Sequence, residues 1–250
     1  MALMPAPGCE ALRQLSVVIV ARNEAEHLPS LLADVALAAA QLHECLVVDG
    51  ESRDGSDRLA RLAGARLLRV SAGRGAQLSA GVAATSGAWL LLLHGDARLP
   101  RDWPVLVSRA IGQGLRRAWV FRLAIAGGRL DLGLVAWLAN LRSRVQQLPY
   151  GDQGLLISRE RLLAAGGIRP IPLMEDLDLM LRLRRQGRIG MLAAPLRVSA
   201  RRWSRLGVLG TAWSNARLRR QWRRGVAPER LAAAYYNSLA PPSPRDADDG

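Results

Sequence analysis

The sequence predicts an α/β protein built on a Rossmann-like sheet, mixed but mostly parallel, flanked by helices and followed by a basic helical segment near the C-terminus. Three observations predict it. Four short apolar runs alternate with helical patterns inside the first hundred residues, which suits a doubly wound sheet better than a bundle or sandwich. Two of those runs end at or within three residues of an aspartate, where strands of parallel sheets meet ligand at their carboxyl ends. A chain of 250 residues with 50% hydrophobic content can bury one substantial core.

Residues 16–20 are a β-branched run and read as the first strand; Leu28, Leu31, Leu32 and Val35 then share one helical face. Residues 45–48 give a second strand ending at Asp49. Asp54-Gly55 marks a turn and Ser56 can cap a helix carrying Leu59 and Leu62. Residues 66–70 read as a third strand, 77–84 as a small-residue helix, and 89–93 as a fourth, fully buried strand that runs into His94-Gly95-Asp96. Beyond it the pattern loosens: a helix over 102–111, a half-exposed strand over 119–125, a helix over 130–145, a strand over 153–157 and a helix over 175–185. Strand direction in this half is expected to be mixed. The boundaries that follow are a flexible N-terminus (1–13), one catalytic-sized domain (14–205), a C-terminal helical extension (206–237) and a disordered tail (238–250).

Cys9 and Cys45 cannot form a disulfide framework and lie in no CxxC spacing, so a reducing cytoplasm is the expected setting. No stretch reads as a secretory signal or as a bilayer span. The net charge of +14 comes from arginine alone, since the chain has no lysine. Between Arg197 and Arg230 stand ten arginines against one acid, Glu229, a block able to meet phosphorylated ligands, anionic lipid or nucleic acid. Peripheral attachment at the inner face of the cell membrane is one expectation from it; nucleic acid is not the expected partner. The block's apolar stripe is imperfect, because Leu206, Leu209 and Trp213 share a face that Leu218 and Trp222 do not.

The residues that can carry chemistry are acids at element ends. Asp96 could hold a hard cation, Mg²⁺ or Mn²⁺, whose remaining ligands are phosphate oxygens and water, or could cap the turn before Pro100. Asp176 shares a helical face with Leu179, Met180 and Leu183, so burial and the adjacent Glu175 are expected to raise its pKa toward the range of a general base; the alternative is a helix N-terminal acid held by the macrodipole. Asp178, with Arg182 and Arg185 following, reads as a solvated ion-pair residue. Arg74 and Gln77 open a helix where backbone N–H groups and a guanidinium could hold phosphate. His94 reads as a strand-end histidine, structural or touching phosphate or metal. The chain has no Gly-x-Ser-x-Gly elbow and no Walker or dinucleotide fingerprint.

Residues 16–24, residues 47–56, the Asp96 strand end and residues 175–187 together resemble the family 2 glycosyltransferases in order and spacing. Leu93-His94-Gly95-Asp96-Ala97, Gly151-Asp152-Gln153-Gly154, Pro172-Leu173-Met174-Glu175-Asp176 and Ser199-Ala200-Arg201-Arg202-Trp203 look like a bacterial subgroup described as radical-SAM/selenodomain-associated transferases. The resemblance implies a GT-A fold, a nucleotide-diphosphate sugar donor, a divalent cation and inversion at the anomeric carbon. It implies that Ala21, Glu24, Asp49 and Ser52 lie near base and ribose, that Arg74, Gln77 and His94 help hold the donor, and that Asp96 holds metal and diphosphate. Asp176 then takes the acceptor proton beside Glu175, Asp152 and Gln153 meet the acceptor, and Arg202 and Trp203 close over the diphosphate. His94 stands where the Asp-x-Asp motif has its first acid, and Gly50 where many members carry a second aspartate. The expected function is an inverting, metal-dependent hexosyltransferase acting on a hydroxyl or carboxyl of a lipid-like or carotenoid acceptor. A non-catalytic basic protein that docks on membrane or nucleic acid is the alternative.

Overall fold

Val17-Val18-Ile19-Val20 leaves no polar face for water, and in the computed structural model the strand that carries it, β1 (Leu15–Ala21), is buried along its whole length. The structure describes residues 9–71, 73–115 and 117–237. A short helix, α1 (Cys9–Leu12), precedes β1, and α2 (Leu28–Ala36) follows it; then come β2 (Glu44–Asp49), α3 (Ser56–Leu62), β3 (Arg66–Arg69), α4 (Arg74–Ala83) and β4 (Trp89–His94). The second half runs β5 (Ala97–Arg98), α5 (Trp103–Ile111), β6 (Ala118–Ile125), α6 (Leu130–Gln146), β7 (Leu155–Ser158), α7 (Arg159–Ala164), α8 (Glu175–Gln186), β8 (Ile189–Val198), α9 (Arg201–Arg223) and α10 (Pro228–Asn237).

The strands form one eight-stranded sheet in the order β3-β2-β1-β4-β7-β6-β8-β5. β3, β2, β1 and β4 are parallel, β7 is antiparallel to both β4 and β6, and β8 runs parallel to β6. The chain moves from β1 outward to β2 and β3 and then returns to place β4 on the other side of β1. That reversal opens a crevice beyond the carboxyl ends of β1 and β4, where open α/β sheets bind ligand.

Alternation along the strands divides the core in two. Val17, Ile19, Leu91 and Leu93 pack beneath α2 and α5, whereas Val18, Val20, Leu90 and Leu92 pack on the other face with Leu78 and Leu177. A Cβ on Gly81 would lie 2.5 Å from Val18 Cγ1 and 2.9 Å from Val48 Cγ2, so glycine lets α4 approach β1 and β2 this closely.

Several sequence expectations shift. β6 is not half exposed: it lies between β7 and β8, and Ala118, Trp119, Val120 and Phe121 are all buried. The strand expected from 153 begins at Leu155, because residues 151–153 form a 3₁₀ turn. The ten-residue β8 had no counterpart in the sequence reading. Its Pro195 argues against a strand, and it is accommodated beside a register shift between Val120 and Arg122 of β6. Of the stretch expected to be flexible, residues 9–12 form α1, whose Leu12 is buried in the core; residues 1–8 and the tail 238–250 lie outside the described residues. The helix expected from 206 starts at Arg201 and breaks at Gly207, where φ is 66° and ψ 168°. Among the described residues, no helix is long and apolar enough to cross a membrane.

Candidate active site

The crevice beyond β1 and β4 is a cavity of about 590 Å³. Its floor is made by two laced loops. After β1, Asn23 adopts a left-handed φ of 55° and its backbone N–H donates to Ser52 Oγ at 2.9 Å, while its own Oδ1 accepts from Arg53 N–H at 2.9 Å. The next two N–H groups, of Glu24 and Ala25, donate to Ser56 Oγ and Asp54 Oδ2, each at 2.8 Å. The Asn-Glu turn and the Asp-Gly-Ser turn thus satisfy each other's backbone. Asp49, buried at the end of β2, accepts from Ser52 N–H at 3.1 Å through Oδ2, and its Oδ1 is buried with no hydrogen-bond partner. A buried carboxylate oxygen without a donor is costly, which favours a ligand that brings one. Gln77 reaches from α4 to tie the two strand ends: its Nε2 donates to Ala21 O and Val48 O, both at 3.1 Å. A Cβ at Gly50 would come within 2.7 Å of that nitrogen.

Three groups meet on the far wall. The carboxylate of Asp176, at the start of α8, accepts from Gly151 N–H at 3.0 Å and Leu177 N–H at 2.7 Å. The His94 ring packs against the same glycine, since a Cβ there would lie 3.0 Å from its Nε2 and 3.6 Å from Asp176 Oδ2. Glycine at 151 therefore lets the end of β4 and the start of α8 face one space. Met174, in a left-handed conformation with φ 68°, turns the chain into α8. Beside it Glu175 is 1% exposed; burial pushes its carboxyl pKa up, Asp176 adds to the rise, and Arg74 opposes it from 3.3 Å.

The roof comes from α9 and α10. Arg201 donates to Glu24 Oε1 at 2.6 Å across 177 residues of sequence. Glu24 is pushed up to about 7, chiefly by burial and further by the negative charge of Asp96, with Arg201 working against both. Ser199, Trp203, Leu218, Arg219 and Tyr235 complete the lining. Leu218 packs with Leu173, Leu231 and Ala232, which fixes the two C-terminal helices against the loop before α8. Tyr150, also on the wall, lies 3.7 Å beneath the Arg142 guanidinium.

The cavity brings together Ala21, Glu24, Arg74, Gln77, His94, Asp96, Asp152, Asp176 and Trp203. Asp49 and Ser52 lie just behind its floor, and the Arg202 side chain is outside the described residues. Glu175 sits beneath the wall rather than in it and is the fully buried acid, whereas Asp176 is partly buried, as its helical spacing predicts. Gln153, expected at the acceptor, does not reach the cavity. It is fully buried, accepting from Ser143 Oγ at 2.6 Å and donating to Phe121 O at 3.0 Å. Gln153→Leu is therefore expected to cost about 1–3 kcal/mol of stability in a denaturant melt while leaving nucleotide binding intact. Asp178 is an ion-pair residue, but a buried one, held by Arg169 and Arg182 rather than Arg185. Arg201 and Tyr150 were missed; the only signal for Arg201 was its place beside Arg202-Trp203.

No group of three or more His, Cys, Asp and Glu side chains converges as a metal cage among the described residues. Asp96 offers a hard oxygen into the cavity, with Glu24 near enough to feel its charge. Such a donor set fits a divalent cation that arrives with diphosphate oxygens, since the protein alone would leave most of the shell to water.

The parallel β3-β2-β1-β4 half, the mixed remainder and the flanking helices form the mixed sheet of the GT-A glycosyltransferases. Residues 16–151 match the family described as Glycosyl transferase family 2, and the chain belongs to that family. A TPR repeat-containing protein of Synechococcus elongatus is 37% identical over 150 residues, which cover 57% of this chain and 36% of that protein; the chain thus matches about a third of that relative's length. Glucosyl-3-phosphoglycerate synthase of Mycobacterium tuberculosis, solved with Mg²⁺ and UDP, is 26% identical with a TM-score of 0.54, covering 77% of this chain and 72% of that one. TarS of S. aureus, residues 1–349, solved with UDP-GlcNAc, shares the fold at 14% identity and a TM-score of 0.60, over 74% of this chain and 58% of its own.

Proposed function

We propose that the chain is an inverting glycosyltransferase that moves a sugar from a nucleotide-diphosphate donor to a hydroxyl or carboxyl of a lipid-like acceptor. The observation that carries this reading is that Asp96 and Asp176 open into one cavity at the reversal point of the sheet. In this reading the nucleoside lies over the laced loops, against Ala21 and Glu24, with Asp49 and Ser52 directly behind them. Arg74 and Arg201 balance part of the diphosphate charge, and a Mg²⁺ or Mn²⁺ held by Asp96 would neutralise the leaving diphosphate. Asp176 accepts the proton of the acceptor hydroxyl as its oxygen bonds to the anomeric carbon, and the bond from that carbon to the diphosphate oxygen breaks on the opposite face. Gly151 N–H and Leu177 N–H hold the carboxylate in place. Leu173, Leu218, Trp203 and Tyr235 give the acceptor side an apolar lining, which supports a lipid-like molecule. The likeness of residues 93–97, 151–154, 172–176 and 199–203 to the radical-SAM/selenodomain-associated subgroup supports membership of it.

Screening UDP-, GDP- and dTDP-sugars with Mn²⁺ by thermal melting tests the donor site. At a hundredfold excess over Kd, the matching nucleotide is expected to add about 2.7 kcal/mol of apparent stability. Asp96→Asn should lose the Mn²⁺-dependent part of that gain. No stabilisation by any of the three donors would sink the reading.

A further inference from the structure

The helix α6 is apolar on two faces. On its inner face Ala136 and Ala139 pack against Leu123 and Val198 of the sheet, and Leu132 is buried as well. Its outer face carries Leu130, Leu134, Trp137, Leu138, Leu141 and Val145, all exposed, Trp137 at 59% and Val145 at 72%. These positions recur at intervals of three and four, so they form one stripe roughly 22 Å long at 1.5 Å per residue. Isolated exposed leucines need no explanation; an uninterrupted stripe with a central tryptophan does. A helix with apolar residues on opposite faces is covered on both.

Charge decides what covers the outer face. Exposed Arg144 borders the stripe, and at its start Arg129 is paired with Asp131. The packed neighbour α9 adds exposed Arg217, Arg220 and Arg223, followed by exposed Arg224, and its exposed Trp213 lies 5.6 Å from the Arg217 guanidinium. A second copy of this chain would bring two molecules of net charge +14 together along their arginine-rich sides. An anionic lipid surface offers the opposite: an apolar layer for leucine and tryptophan, with headgroup phosphates for the arginines.

We propose that the outer face of α6 is a docking surface for an anionic phospholipid bilayer. The helix lies in the interface with its stripe toward the acyl chains, and the arginines of α9 meet the headgroups. Arg142, which stacks on Tyr150 of the cavity wall, belongs to the same helix, so docking holds the cavity close to the membrane. The proposal does not depend on the transfer reaction.

Co-sedimentation with phosphatidylcholine vesicles, with and without phosphatidylglycerol, tests it. The wild type is expected to bind the anionic vesicles and to release in high salt. The combined variant Leu134→Asp, Trp137→Asp, Leu141→Asp should bind at least about tenfold more weakly. It should remain folded, with stability lowered only by about the 1–2 kcal/mol that three aspartates cost in a helix, because the three side chains are exposed. As a check with a conservative variant, brominated lipids should quench wild-type fluorescence more than that of Trp137→Phe. Failure of the wild type to bind, equal binding by the variant, or equal quenching overturns the proposal. So does a dimer in light scattering that the variant splits, since a second copy would then be the cover.

Discussion

Asp176→Asn is expected to lower the rate of sugar transfer by about 10²–10⁴, the usual contribution of a positioned general base. Asparagine occupies the same space and can still accept one of the two backbone hydrogen bonds, from Gly151 or Leu177, that the carboxylate accepts now. What it loses is the ability to take a proton. The same variant should keep the nucleotide-dependent thermal shift, because the laced loops and Asp96 are untouched. A transfer rate equal to wild type would remove Asp176 from the chemistry; loss of the thermal shift as well would make its role structural.

Asp178→Ala is expected to lower stability by about 3–5 kcal/mol. The carboxylate is buried and shared: Arg169 donates to one oxygen at 3.0 Å, and Arg182 grips the other from 3.0 and 2.6 Å. Removing it strands a mostly buried guanidinium in the packing between α8 and the turn after α7, where Arg182 also donates to Gly167 O at 2.7 Å. For a chain of this size the melting temperature should fall by roughly 6–20 °C. A loss below about 1 kcal/mol would mean that the pair behaves as solvated.

The strands that build the cavity floor were legible because their signal is local. Leu15 to Ala21, Glu44 to Asp49 and Trp89 to His94 are short apolar runs with a polar turn at the ligand end, and nothing distant is needed to read them. β8 was illegible for the opposite reason: Pro195 and Gly190 weaken it as a strand, and pairing with β6 overrides them. The identity of the buried acid in α8 was also a tertiary matter. Leu179, Met180 and Leu183 are buried as their spacing requires, yet the first turn of α8 lies between the cavity and α4, so Asp176 faces the opening and Glu175 faces Arg74. Gln153 had a motif-like setting, Gly-Asp-Gln-Gly, and the sequence cannot say which of two adjacent side chains a 3₁₀ turn directs inward. The roof was the least legible part, since Arg201 finds Glu24 only once the sheet has brought distant segments together.

That ion pair also bears on how the protein is made. The floor of the cavity is complete once β4 has joined β1, less than halfway along the chain, whereas its roof waits for residues 201–237. Domains fold as units, so the floor segments leave the ribosome well before the segment that covers them. Glu24, a carboxyl that burial forces toward neutrality, meets its counter-charge only at the end. Competence to bind donor is therefore expected to appear late in biogenesis, with docking of α9 as the step that commits the chain.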